Sequence, residues 1–165
     1  MIAAIGPDTA VVHLQWANHE VGTVQPVSTV AAECRSRGVL LHVDAAQAIG
    51  RVPIAFDESG IDLMSVTAHK FGGPTGIGAL LVRRGVRLDP LLPGADQERA
   101  RRAGLENLAG MAGFAAALDE ATLGLDAEAE RTTALTQRVI GWAAGEPGVE
   151  PVHELVLAHQ PPDRP

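Results

Sequence analysis

The sequence contains one cysteine and no tyrosine among its 165 residues. A single cysteine, Cys34, excludes an internal disulfide framework. No window approaches the ~18 consecutive apolar residues that a membrane span needs. The first seven residues lack a basic segment followed by a long apolar stretch, so no signal peptide is predicted. These absences make the cytoplasm the expected compartment and predict no membrane association.

Positive charge is also scarce. The formal net charge is −7, which argues against a nucleic-acid binder because such proteins need clustered basic residues. Lys70 is the only lysine, and the other 12 basic residues are arginines. A guanidinium stays protonated and cannot supply a neutral amine, whereas a lysine can. Lys70 is therefore the one side chain suited to amine chemistry.

Short apolar runs bounded by turn residues predict an α/β fold. The apolar positions Val27, Val30, Ala31 and Cys34 are spaced as one helical face, and Gly38 is a suitable residue to end that helix. Strand–helix–strand order with apolar strands favours a mainly parallel sheet flanked by helices. The predicted strands are residues 11–17, 39–43, 61–66 and 79–82, and the first predicted helix is residues 27–37.

The second part of the chain has a different character. Helical segments are predicted at residues 106–122 and 126–144, with Leu135, Val139 and Trp142 as an apolar stripe on the second. A further strand is possible at residues 154–158. We therefore divide the chain at residue 105. A parallel sheet normally has more strands than these, so we expect it to be truncated at both ends.

Three polar clusters follow or close predicted strands: Asn18-His19-Glu20, the segment from His42 to Gln47, and the segment from Thr67 to Lys70. In open α/β sheets, ligands bind at the carboxyl ends of strands, so these loops are expected to converge. Each residue also has a purely structural interpretation. Asp44 could be a turn residue, Glu20 a loop residue, Lys70 a surface lysine, and His13 and His42 packed core histidines.

The chemistry of pyridoxal 5′-phosphate (PLP) needs the residue types in these clusters. A lysine amine binds the cofactor, a carboxylate keeps the pyridine nitrogen protonated, and hydroxyl or imidazole groups take the phosphate. Lys70, Asp44, Thr67 and His69 are the right types for these tasks. Gln47 could reach the ring hydroxyl.

No metal site is predicted. The glycine-rich segment 71–78 lacks the Gly-Lys-Ser/Thr of a nucleotide-binding P-loop.

The motifs ANHEVGTVQPV, VDAAQAIGRVPI and DLMSVTAHKFGGPTGIGALLVRRG resemble the class-V, fold-type-I PLP enzymes, most closely the cysteine desulfurases. The resemblance covers residues 11–118. It implies that residues 1–105 are part of the PLP-binding large domain. Residues 106–165 would then form a helical connection and the start of the small C-terminal domain.

The resemblance also implies residue roles. Lys70 would be the Schiff-base lysine, and Asp44 the partner of the pyridine nitrogen. Gln47 would contact the ring hydroxyl, and either Asn18 or His19 would contact the cofactor. Thr67 and His69 would bind the phosphate. The implied substrate is L-cysteine or a related amino acid, and the implied assembly is a homodimer that passes sulfur to an acceptor or scaffold protein.

The sequence departs from the family pattern in three ways. Leu105 stands where a threonine would reach the phosphate of the neighbouring subunit's cofactor, and leucine cannot donate that hydrogen bond. The family's N-terminal phosphate loop and its nucleophilic-cysteine loop have no counterpart here, and Cys34 lies on the predicted buried helix face. Three functions therefore remain open: a desulfurase, another class-V enzyme such as a selenocysteine lyase or an aminotransferase, and an inactive remnant.

Overall fold

A computed structural model describes residues 1–149 and contains a four-stranded sheet in the order β1-β2-β3-β4. The first three strands are parallel, and β4 runs antiparallel to β3. The predicted mainly parallel α/β sheet is therefore confirmed. The strands are β1 (Val11–Gln15), β2 (Leu40–Asp44), β3 (Leu63–Thr67) and β4 (Gly78–Val82).

Five α-helices accompany the sheet within residues 1–149. They are α1 (Val27–Ser36), α2 (Phe56–Ser59), α3 (Gln97–Ala100), α4 (Leu108–Leu123) and α5 (Leu125–Ala144). The three long helices lie where the sequence predicts them, whereas the four-residue segments α2 and α3 have no clear periodicity and were not predicted. The possible strand at residues 154–158 lies outside the described residues.

The core lies between α1 and one face of the sheet. Alternate strand residues point to the same face, and on β2 this places Leu41 and Val43 in the interior, both completely buried. The four apolar positions of α1 are buried as its spacing predicts, and Cys34 is only 1% exposed. Apolar periodicity thus decides which face of the sheet the helix covers.

The other face of the sheet is more polar. On β1, His13 and Gln15 are exposed, and on β2, His42 and Asp44 are half-buried. The expectation that His13 is a packed core histidine is therefore wrong. The reason is strand parity, since Val12 and Leu14 occupy the core-facing positions of β1 and leave His13 on the opposite side.

A buried carboxylate ties three strands together. Asp62, only 4% exposed, accepts a hydrogen bond from the Leu41 backbone N–H at 2.7 Å. Its second oxygen accepts from Arg83 Nε at 2.8 Å and also pairs with the Arg83 terminal nitrogen. Leu41 belongs to β2, Asp62 precedes β3 and Arg83 follows β4. This ion pair therefore fixes the strand ends opposite the polar clusters.

Helix α4 packs on the turn that follows β3. The rings of Phe71 and Phe114 meet edge to face with centroids 5.3 Å apart. Gly113 of α4 lies so close to Pro74 that a Cβ at this position would be 2.9 Å from the proline ring. The second part of the chain therefore contacts the segment that carries Lys70.

Helix α5 has few tertiary contacts within residues 1–149, and its apolar residues Val139 and Trp142 are 63% and 65% exposed. Among the described residues, no single helix has both the length and the apolar composition to cross a membrane. Only the pair α4 and α5, bent by 67° at their junction, passes that test.

Candidate active site

The polar clusters lie at one edge of the sheet. Strands β1, β2 and β3 are parallel, so their carboxyl ends, at Gln15, Asp44 and Thr67, share that edge. Asp44 pairs in register with Ser65, and Thr67 is two residues further along, on the same face of the sheet. The prediction that these loops leave the same edge of the sheet is therefore confirmed. A single cleft that receives both the Asp44 and the Lys70 side chains stays a prediction.

Lys70 is half-buried in a short 3-10 turn, Ala68–Phe71, that follows β3 directly. Beside it, Thr67 Oγ1 and His69 Nδ1 are 3.0 Å apart and share a hydrogen bond. The turn ends at Gly72, whose φ of 92° is left-handed and suits a residue without Cβ. Hydroxyl, imidazole and amine are thus presented within four consecutive residues.

Asp44 has a structural role as well as its place at the site. Its Oδ1 accepts the N–H of Ala46 at 3.0 Å, which holds the turn that leads to Gln47. The turn-residue interpretation from the sequence is therefore correct, and it leaves the carboxylate half-buried at the strand end. Gln47 is half-buried on the same segment.

The loop after β1 is organised by Asn18. Its Oδ1 accepts from the N–H groups of Glu20 and Val21 at 2.9 and 3.0 Å, and its Nδ2 donates to Gln15 Oε1 at 3.3 Å. His19 and Glu20 are exposed on this loop. The Asn18 amide is thus engaged in shaping the loop, while the imidazole of His19 faces solvent.

Two histidines meet next to the site, a feature that the sequence did not predict. His13 and His42 are register partners on β1 and β2, and their Nδ1 atoms are 3.1 Å apart. One ring must donate a proton and the other accept it, so both cannot be charged without losing this bond. Burial, and then the neighbouring His13, lower the pKa of His42, and Asp44 acts in the opposite direction.

This pair predicts an acid-sensitive stability. A histidine whose pKa is lower in the folded state stabilises the fold above its unfolded pKa of about 6.5, and this contribution is lost as the pH falls through the folded value. We expect the free energy of unfolding, measured by urea denaturation, to decrease from pH 7 to about pH 5. His42→Gln should flatten that decrease. An unchanged slope in His42→Gln would contradict the assignment.

Cys34 lies apart from this edge. Burial raises the pKa of its thiol, and nearby Asp62 and Glu33 raise it further. It belongs to α1, which covers the sheet face opposite that of Asp44. The thiol is therefore a poor source of thiolate, and it is buried on α1 as the sequence predicted.

The residues at the edge fit the needs of PLP. An amine, a carboxylate and a hydroxyl–imidazole pair are the donor set that this cofactor requires, and all three come from strand ends on one side. Leu105 is 90% exposed and adds no polar group. Within residues 1–149, no three His, Cys, Asp or Glu side chains come together as metal ligands.

Known proteins resemble this chain in sequence and in fold. A cysteine desulfurase of Gluconacetobacter diazotrophicus is 48% identical over 136 residues, which are 82% of this chain and 34% of the relative. The solved structure of a NifS-like protein matches with a TM-score of 0.81 at 37% identity, covering 85% of this chain and 39% of that one.

A second solved structure, SspA in complex with cysteine, matches with a TM-score of 0.69 at 35% identity, covering 72% of this chain and 35% of SspA. The chain thus spans about a third of the length of the curated relatives it matches. The sequence model of the aminotransferase class-V family covers residues 1–153. On this match, the chain belongs to the class-V aminotransferase family.

Proposed function

We propose that this chain is the cofactor-carrying part of a PLP-dependent cysteine desulfurase. The observation that carries the proposal is the position of its only lysine. Lys70 lies on the turn after β3, at the sheet edge where β2 ends in Asp44. The 48% identity to a cysteine desulfurase and the likeness to SspA, solved with cysteine, support this enzyme among the class-V alternatives.

Each side chain at the edge has a proposed task. Lys70 holds the cofactor through Nζ and, once released, carries protons to and from the substrate carbon. Asp44 keeps the pyridine nitrogen protonated, and Gln47 donates to the ring hydroxyl. When bound, PLP supplies the electron sink for the reaction.

Thr67 and His69, which share a hydrogen bond with each other, are the proposed ligands of the cofactor phosphate. The remaining contact, open in the sequence between Asn18 and His19, is better assigned to His19. The Asn18 amide already accepts two backbone N–H groups and donates to Gln15, whereas His19 is exposed.

The complete reaction would convert L-cysteine to L-alanine and leave the sulfur on an enzyme cysteine, from which an acceptor or scaffold protein takes it for iron–sulfur cluster or thio-cofactor assembly. The buried Cys34, with its raised pKa, does not suit this nucleophilic step. A homodimer and a cytoplasmic location belong to the same proposal. So does a boundary near residue 105 between the large domain and the connection to the small domain.

A chimera tests the function. This chain would replace the 136 matched residues in the Gluconacetobacter desulfurase, so that the relative supplies both flanks. With PLP, L-cysteine and excess dithiothreitol, which reduces the enzyme persulfide, the chimera should release sulfide and alanine in equal amounts, whereas the 165-residue chain alone should release none. Leu105→Thr should raise the rate, because it restores a hydroxyl where the family binds the neighbouring subunit's phosphate.

The controls concern the thiol and the lysine. Cys34→Ser in the chimera should leave sulfide release unchanged, since the buried thiol is not the nucleophile. Lys70→Ala should abolish it. Sulfide release by the isolated chain that disappears in Cys34→Ser would overturn our placement of Cys34. Transamination of L-cysteine without sulfide would favour an aminotransferase.

A further inference from the structure

The Lys70 turn is held from a second loop. Arg51, at the end of the segment that begins with Asp44, donates from its guanidinium to the backbone carbonyl of Lys70 at 2.8 Å. Carbonyls in the last turn of a helix lack a helical donor of their own, so an external donor fixes the turn at this point. The same guanidinium therefore connects the loop after β2 to the loop after β3.

An independent close approach lies beside this bond. Gly50 has a φ of 71°, and a Cβ on it would lie 2.9 Å from the Cβ of Phe71 and 3.2 Å from that of Ala121. The backbone at residue 50 therefore passes directly against the residue that follows Lys70. The neighbour of Arg51 in the chain therefore packs against the neighbour of Lys70.

We infer that Arg51 is a positioning residue for Lys70: its hydrogen bond to the Lys70 carbonyl holds the lysine turn in register with the loop of Asp44 and Gln47. The inference rests on the proposed function, because it concerns the geometry of the proposed cofactor amine. Arg51 itself is exposed and contacts the backbone, so it acts through Lys70 rather than on the substrate.

The chain offers an internal reference for the test. The full sequence of 165 residues has two primary amines, Lys70 Nζ and the N-terminal amine. Each amine condenses with the aldehyde of PLP and loses water, and borohydride then reduces the C=N bond to a stable product. Peptide mapping of the 165-residue chain gives the ratio of product at Lys70 to product at the N-terminus, independent of total labelling.

We expect this ratio, measured at limiting PLP, to fall about tenfold in Arg51→Ala, the effect of losing one hydrogen bond from a charged donor. Arg84→Ala is the matched control. It removes the same charge from an exposed position just past β4, at the opposite edge of the sheet, and should leave the ratio unchanged. Arg51→Lys keeps a cationic donor and should restore most of the ratio at Lys70, with its new amine mapped separately.

Each other outcome contradicts the inference. A wild-type ratio in Arg51→Ala would overturn the role of Arg51 while leaving the proposed function intact, since Lys70 would still be the preferred amine. A ratio that falls together with the circular dichroism signal, or that Arg51→Lys does not restore, would mean that Arg51 is only structural. A wild-type ratio equal to that of the urea-unfolded chain would overturn both the cofactor site and the role of Arg51.

Discussion

Replacing Lys70 with alanine should abolish the reducible attachment of PLP at any site other than the N-terminal amine. The chain has no second lysine that could substitute for it. Lys70→Arg should abolish attachment as completely, because a guanidinium remains charged and cannot supply the neutral amine. The measurement is the mass of the borohydride-reduced chain, mapped by peptide, together with the visible absorbance before reduction.

The arginine variant separates chemistry from charge. It keeps a positive charge and a long side chain on the turn, so a loss of labelling there identifies the amine rather than an electrostatic attraction to phosphate. We expect weak equilibrium binding of PLP in all variants, since Thr67 and His69 supply only some of the hydrogen bonds that the phosphate needs. Persistent labelling of an internal peptide in either variant would refute the cofactor assignment.

Asp62→Ala should destabilise the fold strongly. It leaves the buried Leu41 N–H without an acceptor, which costs about 1–3 kcal/mol, and also removes the partner of Arg83. Urea denaturation followed by circular dichroism measures the change in the free energy of unfolding.

Two variants calibrate that result. Arg83→Ala should cost less than Asp62→Ala, because the Leu41 N–H keeps its acceptor and the Arg83 side chain is 54% exposed, so that water can replace it beside the Asp62 carboxylate. Asp62→Asn keeps one acceptor oxygen and should recover part of the loss. Equal destabilisation by Asp62→Ala and Arg83→Ala would show that the ion pair, rather than the Leu41 hydrogen bond, supplies the stability.

Local patterns were sufficient to predict the main elements. The spacing of Val27, Val30 and Cys34 predicted helix α1 and its buried face, and the three polar clusters were correctly placed at strand ends. These features depend on residues close together in the chain, where periodicity and turn chemistry decide the conformation.

Features that depend on strand register could not be predicted in the same way. The contact between His13 and His42, 29 residues apart, requires knowing that these two are partners across β1 and β2. The bond from Arg83 to Asp62 and the bond from Arg51 to the Lys70 carbonyl are long-range for the same reason. The left-handed backbone of Glu98, Arg99 and Ala100 could not be predicted either, because none of these residues is a glycine.

The reversed direction of β4 has a thermodynamic consequence for Lys70. Thr67 and Gly78 are register partners, and the Ala68 N–H donates to the Ile77 carbonyl at 3.1 Å, so residues 68–77 form a loop closed at both ends by the sheet. The conformational entropy of this loop is lost when the sheet folds rather than when a ligand arrives. The backbone that carries Lys70 is therefore preorganised, and binding need not compensate for ordering that backbone.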